Sequence, residues 1–337
     1  MRTALVIGLL AGTSLVQSEA SAKKADRFSY TELHMGVPFR ITVYGSDKVA
    51  ANTAVAKAYK RIATLNQVFS DYESTSEVSR LRKLPAKEAT TVSQDMASLI
   101  HRSLAVSRAT DGAFDVTCGP LVRQWRRARR RKRLPEPELL QKALKQSGYQ
   151  RIRLTNRELV FEETGMRLDF GAIAKGYACD EALRILREAG FRSALVDGGG
   201  DIVVGNPPPG KTAWRVQIEP DAKDKASGLI LQLANQAVAT SGDRYRFVEI
   251  DGVRYSHIVD PMTGTGLTSR LTVTVVAPNA TDADAFASAV SVLGSKRGTE
   301  FIHSKPNAEC LIRDYSKSDI RTTTSRGFAE LEKLKER

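Results

Sequence analysis

The stretch LDFGAIAKGYACDEALRILREAGFRSALVDGGGDIVV, residues 168–204, decides the fold class. Gly171–Gly176 is a run of small residues that reads as a turn. The apolar spacing of Ala178–Ala189 predicts a helix, and Ala194–Val196 a strand. Gly198–Gly200 breaks the chain before a second strand, Asp201–Val204. These glycines are not a G-x-G-x-x-G run and they precede a strand, so no dinucleotide fingerprint is present.

Outward from this centre, strands and helices mix without a regular βαβ repeat. Toward the N-terminus, FRITVY (Phe39–Tyr44) alternates like a strand and Asn52–Val68 has helical spacing. Ser93 caps a helix carrying Met96, Leu99, Ile100 and Leu104, and Thr110-Asp111-Gly112 stops it. A helix is predicted at Glu138–Ser147. Arg151–Leu154, Leu159–Glu162 and Arg167–Phe170 read as short strands of a meander. Toward the C-terminus, strands are predicted at Trp214–Glu219, Leu229–Leu233, Ala237–Thr240, Arg246–Ile250 and Leu271–Ala277, and a helix at Ala283–Leu293. The order favours an α+β architecture.

The 337 residues carry a formal charge of +13 and are 42% hydrophobic, which allows a substantial core. No apolar stretch reaches the roughly 18–20 residues of a spanning helix. Residues 1–22 read as a cleaved signal peptide: Arg2, an apolar run from Ala4 to Val16, then small residues at Ser18, Ala20 and Ala22. No Cys follows that run to accept a lipid, so a soluble, exported, periplasmic or extracytoplasmic protein is expected. Cys118, Cys179 and Cys310 have no C-x-x-C spacing and read as buried filler. The charge is local. Arg123–Arg133 holds eight basic residues in eleven with no acid, and without them the net charge falls from +13 to +5. A uniformly basic nucleic-acid protein is not described by this distribution.

Several chemistries lack their motifs. Gly171–Gly176 reverses the Gly-Lys order of a phosphate loop, and no G-x-S-x-G elbow or H-E-x-x-H helix occurs. What remains is a set of hard oxygen donors and turns. Asp284 and Ser288, four apart on a predicted helix, project from one face and suit Mg²⁺ or Ca²⁺, or else are a solvated or capping pair. Asp169–Gly176 runs from a strand end into a helix, as a phosphate cradle or as a tight turn with a surface lysine. His257, within Ser256–Gly264, is either a structural histidine or a base. Met35-Gly36, Phe69–Tyr72 and Gly112–Asp115 are either core or a clasp for a flat heteroaromatic ring.

Taken in order, these segments resemble the ApbE-type FAD:protein FMN transferases. The similar motifs are Met35-Gly36, Phe69–Leu81, Thr110–Asp115 with Gly119–Val122, Leu168–Tyr177, Val196–Asp201, Ala239–Gly242, Ser256–Pro261 with Thr263-Gly264, and Asp282–Ser288. The resemblance implies two intertwined, T-fold-like lobes with an FAD cleft between them. It implies a Mg²⁺-dependent enzyme that moves FMN from FAD to a Ser or Thr hydroxyl of an acceptor flavoprotein, through a phosphoester, releasing AMP. Met35, Tyr72, Ala113, Phe114, Asp115, Asp169, Lys175 and Ile258 would hold FAD. The Ala172 carbonyl with Asp284 and Ser288 would hold Mg²⁺, and His257, or Asp284 itself, would orient or deprotonate the acceptor hydroxyl.

On this reading residues 28–325 form the transferase domain, with a basic insertion at 123–137 and a charged tail at 326–337. Ser288 stands where the family usually has Thr, the lipid-anchor Cys is missing, and the arginine cluster follows Trp125 where small and aromatic residues are usual. The cluster is expected to lie outside the FAD motifs, as a solvated helix or loop or as a docking patch for an anionic partner or membrane surface. Other readings of the chain are a Mg²⁺-dependent FAD pyrophosphatase, a non-enzymatic flavin-binding protein, and an anion-binding module around residues 123–133.

Overall fold

Alternating buried and exposed residues along β2 and the small residues of the central helix build the fold from the middle of the chain outward. The computed structural model describes residues 25–218, 228–242, 246–316 and 319–332. The expected signal peptide, Glu219 of a predicted strand and the last five residues of the expected tail lie outside the described residues.

Strand β1 (Asp26–His34) turns through Met35 and Gly36 into β2 (Val37–Gly45). Both turn residues have positive φ, 50° and 75°, the backbone that matches the twist of a two-residue hairpin. Helix α1 (Lys48–Phe69) starts at Asp47, whose side chain accepts the Val49 and Ala50 N–H groups. There follow α2 (Glu77–Leu81), β3 (Ala89–Thr91) and α3 (Gln94–Ala109), the last capped by Ser93 through Met96 N–H. Next come α4 (Gly119–Arg131), α5 (Pro137–Lys145), β4 (Ile152–Thr155) and β5 (Glu158–Phe161). The centre is α6 (Ala174–Glu188), β6 (Ala194–Gly198) and β7 (Ile202–Val204). The rest is β8 (Trp214–Gln217), β9 (Ile230–Leu233), β10 (Ala237–Gly242), β11 (Phe247–Ile250), β12 (Val253–Ser256), β13 (Leu271–Ala277), α7 (Ala280–His303), β14 (Glu309–Asp314) and β15 (Arg321–Thr324).

Eight strands form one antiparallel sheet in the order β1-β2-β6-β7-β10-β13-β14-β15. Helices α1, α6 and α7 join the main core of the protein, where Ile41, Ile62, Ala178 and Val273 are buried together. A second core gathers Trp214, Leu231, Val276 and Phe328. A third joins α4 and α5 to the hairpin β11–β12 through Leu121, Trp125, Ala143 and Val248. The α+β class and two-lobed arrangement take this form: the large sheet with its helices on one side of the cleft, the α4–α5 and β11–β12 unit on the other.

Three sequence expectations are corrected. Arg167–Phe170 is no meander strand. Arg167 makes a single parallel bridge to Cys118, and Asp169 N–H donates to the Val116 carbonyl at 2.7 Å, so the segment pairs with the loop before α4. Residues 123–131 are helical and lie in α4, which starts at Gly119 and buries Trp125 and Ala128. The tail from 326 is not merely charged, because Phe328 is fully buried in the second core. Helix α6 begins at Ala174, four residues early, so Lys175 and Gly176 are in its first turn.

That first turn packs directly on α7. A Cβ added at Gly176 would lie 2.2 Å from the Ala280 carbonyl oxygen, so only glycine permits the approach. One turn later Asp180 accepts hydrogen bonds from the N–H groups of Ala280 and Thr281, both at 2.8 Å, and from the Thr281 hydroxyl. A carboxylate of α6 therefore caps α7. Gly176→Ala should lower unfolding free energy by about 1–3 kcal/mol through overpacking. Urea denaturation measures this, and an unchanged midpoint would show that the two helices are not locked there.

Candidate active site

A cleft of 1060 Å³ lies between the two sides of the molecule, just above the range of about 300–1,000 Å³ for small-molecule sites. Its walls include Met35, Tyr72, Ala113, Phe114, Asp115, Asp169, Ala172, Lys175, His257, Ile258, Asp284 and Ser288. Every residue expected to touch FAD, Mg²⁺ or the acceptor hydroxyl is thus on one cavity surface. They arrive there from β-turn, loop and helix ends far apart in the chain.

The charged centre lies where α6 meets α7. Lys175 Nζ pairs with Asp201 Oδ2 and stands 3.9 Å from Asp284 Oδ2. Burial disfavours its charge, yet Asp201 and Asp284 hold the ammonium above its usual range. Asp284, only 6% exposed, has one long hydrogen bond, 3.3 Å from the Gly176 N–H. Burial first, and then the charge of Asp201, push its pKa up to about 7. Two carboxylates thus share one ammonium. The local deficit of positive charge, with the half-buried Ser288 hydroxyl and Ala172 on the same cleft wall, is a hard oxygen donor set that fits Mg²⁺. Among the described residues there is no cluster of three His, Cys, Asp or Glu suited to a metal, so only a mixed carboxylate, hydroxyl and carbonyl site is available. Asp201 was not singled out from the sequence; its signal was its place at the end of the Val196–Asp201 motif.

Asp115 faces a different task. Its oxygens accept from the Thr117 N–H and hydroxyl at 2.8 and 2.7 Å and from the Tyr149 N–H at 2.7 Å. The carboxylate holds the turn that carries Ala113 and Phe114, and burial raises its pKa. Its contribution to the cleft is therefore the shape of that turn. The three cysteines are free, as their spacing suggests.

Arg126 overturns the expectation that the arginine cluster stays clear of the FAD motifs. Its guanidinium donates to Asp71 Oδ2 at 2.5 Å and to Asp169 Oδ2 at 3.0 Å, and lies 4.7 Å from the centroid of the Tyr72 ring. Tyr72 itself is 78% exposed, so its other face is open to a ring. Arg129 also lines the cleft. The sequence signal was helical spacing: Arg126 follows the buried Trp125 and precedes the buried Ala128 by two. Burial, with Asp71 nearby, raises the Asp169 pKa despite Arg126.

His257 sits on the rim. Both its backbone N–H and, in one tautomer, its Nδ1–H donate to the Arg246 carbonyl, at 2.9 and 3.1 Å, which leaves Nε2 as an acceptor. The cleft walls desolvate the ring, and Arg246, Arg129 and Lys175 surround it with positive charge; its pKa falls to about 4. It is neutral at physiological pH.

Arg126→Ala should cost about 1–3 kcal/mol of stability near neutral pH, because Asp71 and Asp169 lose their shared cation. The loss should shrink as pH falls and Asp169 takes up a proton. Arg126→Lys should recover only part, since a point charge cannot span both carboxylates as a guanidinium fork does. Urea titrations at several pH values measure this.

The comparisons with known proteins agree with this geometry. The model of the ApbE family matches residues 35–312. A FAD:protein FMN transferase of Treponema pallidum is 29% identical over 329 residues, spanning 92% of this chain and 90% of its own length. The flavin transferase ApbE from Vibrio cholerae superposes with a TM-score of 0.82 at 26% identity, covering 91% of this chain and 99% of that one. The apo flavinyl transferase ApbE of Pseudomonas stutzeri gives 0.82 at 28% identity, covering 92% of this chain and 98% of that one. Since the matched region, residues 35–312, spans most of the chain and every residue expected to hold FAD, Mg²⁺ or the acceptor hydroxyl, this chain belongs to the ApbE family.

Proposed function

We propose that this protein transfers the FMN part of FAD to a Ser or Thr hydroxyl of an acceptor flavoprotein, forming a phosphoester and releasing AMP, with Mg²⁺ bound by Asp284, Ser288 and the Ala172 carbonyl. The observation that carries the reading is the meeting, in one cleft, of the Lys175–Asp201–Asp284 centre with an open aromatic face at Tyr72. The named activities of the similar proteins support it. On the same reading, residues 1–22 direct export, so the reaction takes place outside the cytoplasm.

The residues divide the work. Tyr72, Met35 and Phe114 offer apolar and aromatic surface to the flavin ring. Lys175, in the first turn of α6, adds to that helix's positive end and offsets diphosphate charge. The metal, when bound, supplies charge neutralisation of the phosphoryl oxygens and of the AMP that departs. His257 Nε2 accepts the hydrogen bond of the acceptor hydroxyl and orients its oxygen toward the flavin-side phosphorus. A pKa near 4 makes it a weak base, so positioning is its larger contribution.

Incubation with FAD, Mg²⁺ and an acceptor protein, followed by mass measurement, tests the reading. FMN added covalently to the acceptor is expected. Free FMN and AMP with an unmodified acceptor would make the protein a pyrophosphatase, and unchanged FAD would make it a binding protein.

The metal assignment has a readout apart from turnover. A buried acid whose folded pKa is raised costs stability once the unfolded state has lost its proton. For Asp284 that cost begins above about pH 4 and is complete above about pH 7. Mg²⁺ should therefore raise the melting temperature more at about pH 8 than at about pH 5.5. Asp284→Ala should abolish the Mg²⁺ effect, and an equal shift in that variant would remove Asp284 from the metal site.

A further inference from the structure

We propose that the exposed basic face of α4 is a docking surface for an acidic segment of the acceptor polypeptide, beside the Ser or Thr that receives FMN. The proposal rests on the transferase reading and adds the chemistry of its protein substrate. It starts from charge without partners. Arg126 is ion-paired, but among the described residues Arg123, Arg127, Arg129, Arg130, Arg131 and Arg133 show no ion pair with any acid. All but Arg127 of these are exposed. Arg123 and Arg126, with Arg82, also press on Arg167 and lower its pKa after burial has done so. Positive charge is crowded here rather than neutralised.

The helix dipole explains only part of this. Cations in the last turn of a helix are favourable, which covers Arg129–Arg131. Arg123 and Arg127 lie earlier, and Arg133 lies beyond Lys132, whose φ of 50° ends the helix. The face runs about 15 Å from Arg123 to Arg133 at helical rise, the length of four or five extended residues.

Its position indicates what binds. Trp125 Nε1 donates to the Gly264 carbonyl at 2.8 Å, which fastens α4 to the Ser256–Gly264 loop that bears His257. Arg129 lines the cleft and its charge reaches His257. The basic face therefore leads to the rim where the acceptor hydroxyl must arrive. Arg130, Arg131 and Arg133 do not line the cleft, so the FAD diphosphate does not account for them. A polypeptide entering the rim with Asp and Glu near its hydroxyl meets them first. Such a surface acts mostly on encounter rate and orientation and weakens with salt.

The test uses the triple variant R130Q/R131Q/R133Q and two peptides that share one Thr and differ only in its flanks, Asp and Glu in one, Asn and Gln in the other. Wild type should bind the acidic peptide about tenfold more tightly than the neutral one, and the variant should lose that preference. Transfer to the acidic peptide should lose a similar factor in kcat/KM, with kcat and the FAD KM within about twofold, and its salt dependence should flatten. Equal binding of both peptides by wild type, or an unchanged preference in the variant, would overturn the proposal. Preference for the acidic peptide without FMN on either would instead sink the transferase reading alone. Exposed Leu134 and Leu139 follow the cluster, a combination a membrane would also meet. Phosphatidylserine vesicles therefore form the last arm: retention of wild type on them, lost in the variant while peptide preference is absent, would assign the face to a lipid surface instead.

Discussion

The contact of Gly176 with the Ala280 carbonyl holds the charged centre of the cleft in place. No side chain fits between the two backbones, and Asp180 fastens them by accepting both leading N–H groups of α7. The consequence is chemical as well as structural. Lys175 precedes Gly176 and Asp284 lies one turn into α7, so the closest approach of the helices is also what brings ammonium and carboxylate within 3.9 Å. The glycine places its own N–H on Asp284 as well. A looser crossing would leave a buried carboxylate far from any positive group, which burial penalises heavily.

That arrangement leaves the site short of positive charge by design of its residues rather than by exposure to water. Asp201 is almost fully buried and takes the direct contact with Lys175; Asp284 receives what remains. A proton or a cation can complete the balance at Asp284, and the oxygen-rich surroundings suit a hard divalent ion over a soft one. The rim differs in sign. Arg246 and Arg129 around His257 favour anions, so a positive rim stands over a floor that lacks one positive charge.

Local signals were legible in the sequence wherever one element made them alone. Ser93 caps α3 through its own hydroxyl, and the alternation of Phe39–Tyr44 is that of β2. Strand β1 was not legible, because its residues are mostly exposed at a sheet edge and only Phe28 and Tyr30 alternate toward the core, too short a pattern to read as a strand. The segment 167–170 has strand composition, yet its partner is an irregular loop at Val116, a choice made by tertiary contact. The site divided the same way. Asp284 and Ser288 could be paired by helical spacing, whereas the Lys175–Asp201 contact joins a helix to a loop and no periodicity encodes it. Phe328 in the expected tail shows the limit of composition: charged neighbours hide one aromatic that fills a core.

Helix α4 shows why a basic run is not a uniform surface. Leu121, Trp125 and Ala128 follow helical spacing and face the third core, so the arginines between them are sorted by angle. One side turns Arg126 onto Asp71, Asp169 and Tyr72; Arg123, Arg130 and Arg131 stay in water. Like charges at i, i+4, such as Arg126 with Arg130 and Arg127 with Arg131, each oppose the helix by about 0.2–0.5 kcal/mol. Packing of Trp125 and its hydrogen bond to Gly264 offset that repulsion, and they do so at the loop that carries His257. The helix is thus held together from beneath while its outer charge stays unrelieved. A bound anion would relieve that repulsion directly, which ties the stability of α4 to occupancy of the rim it borders.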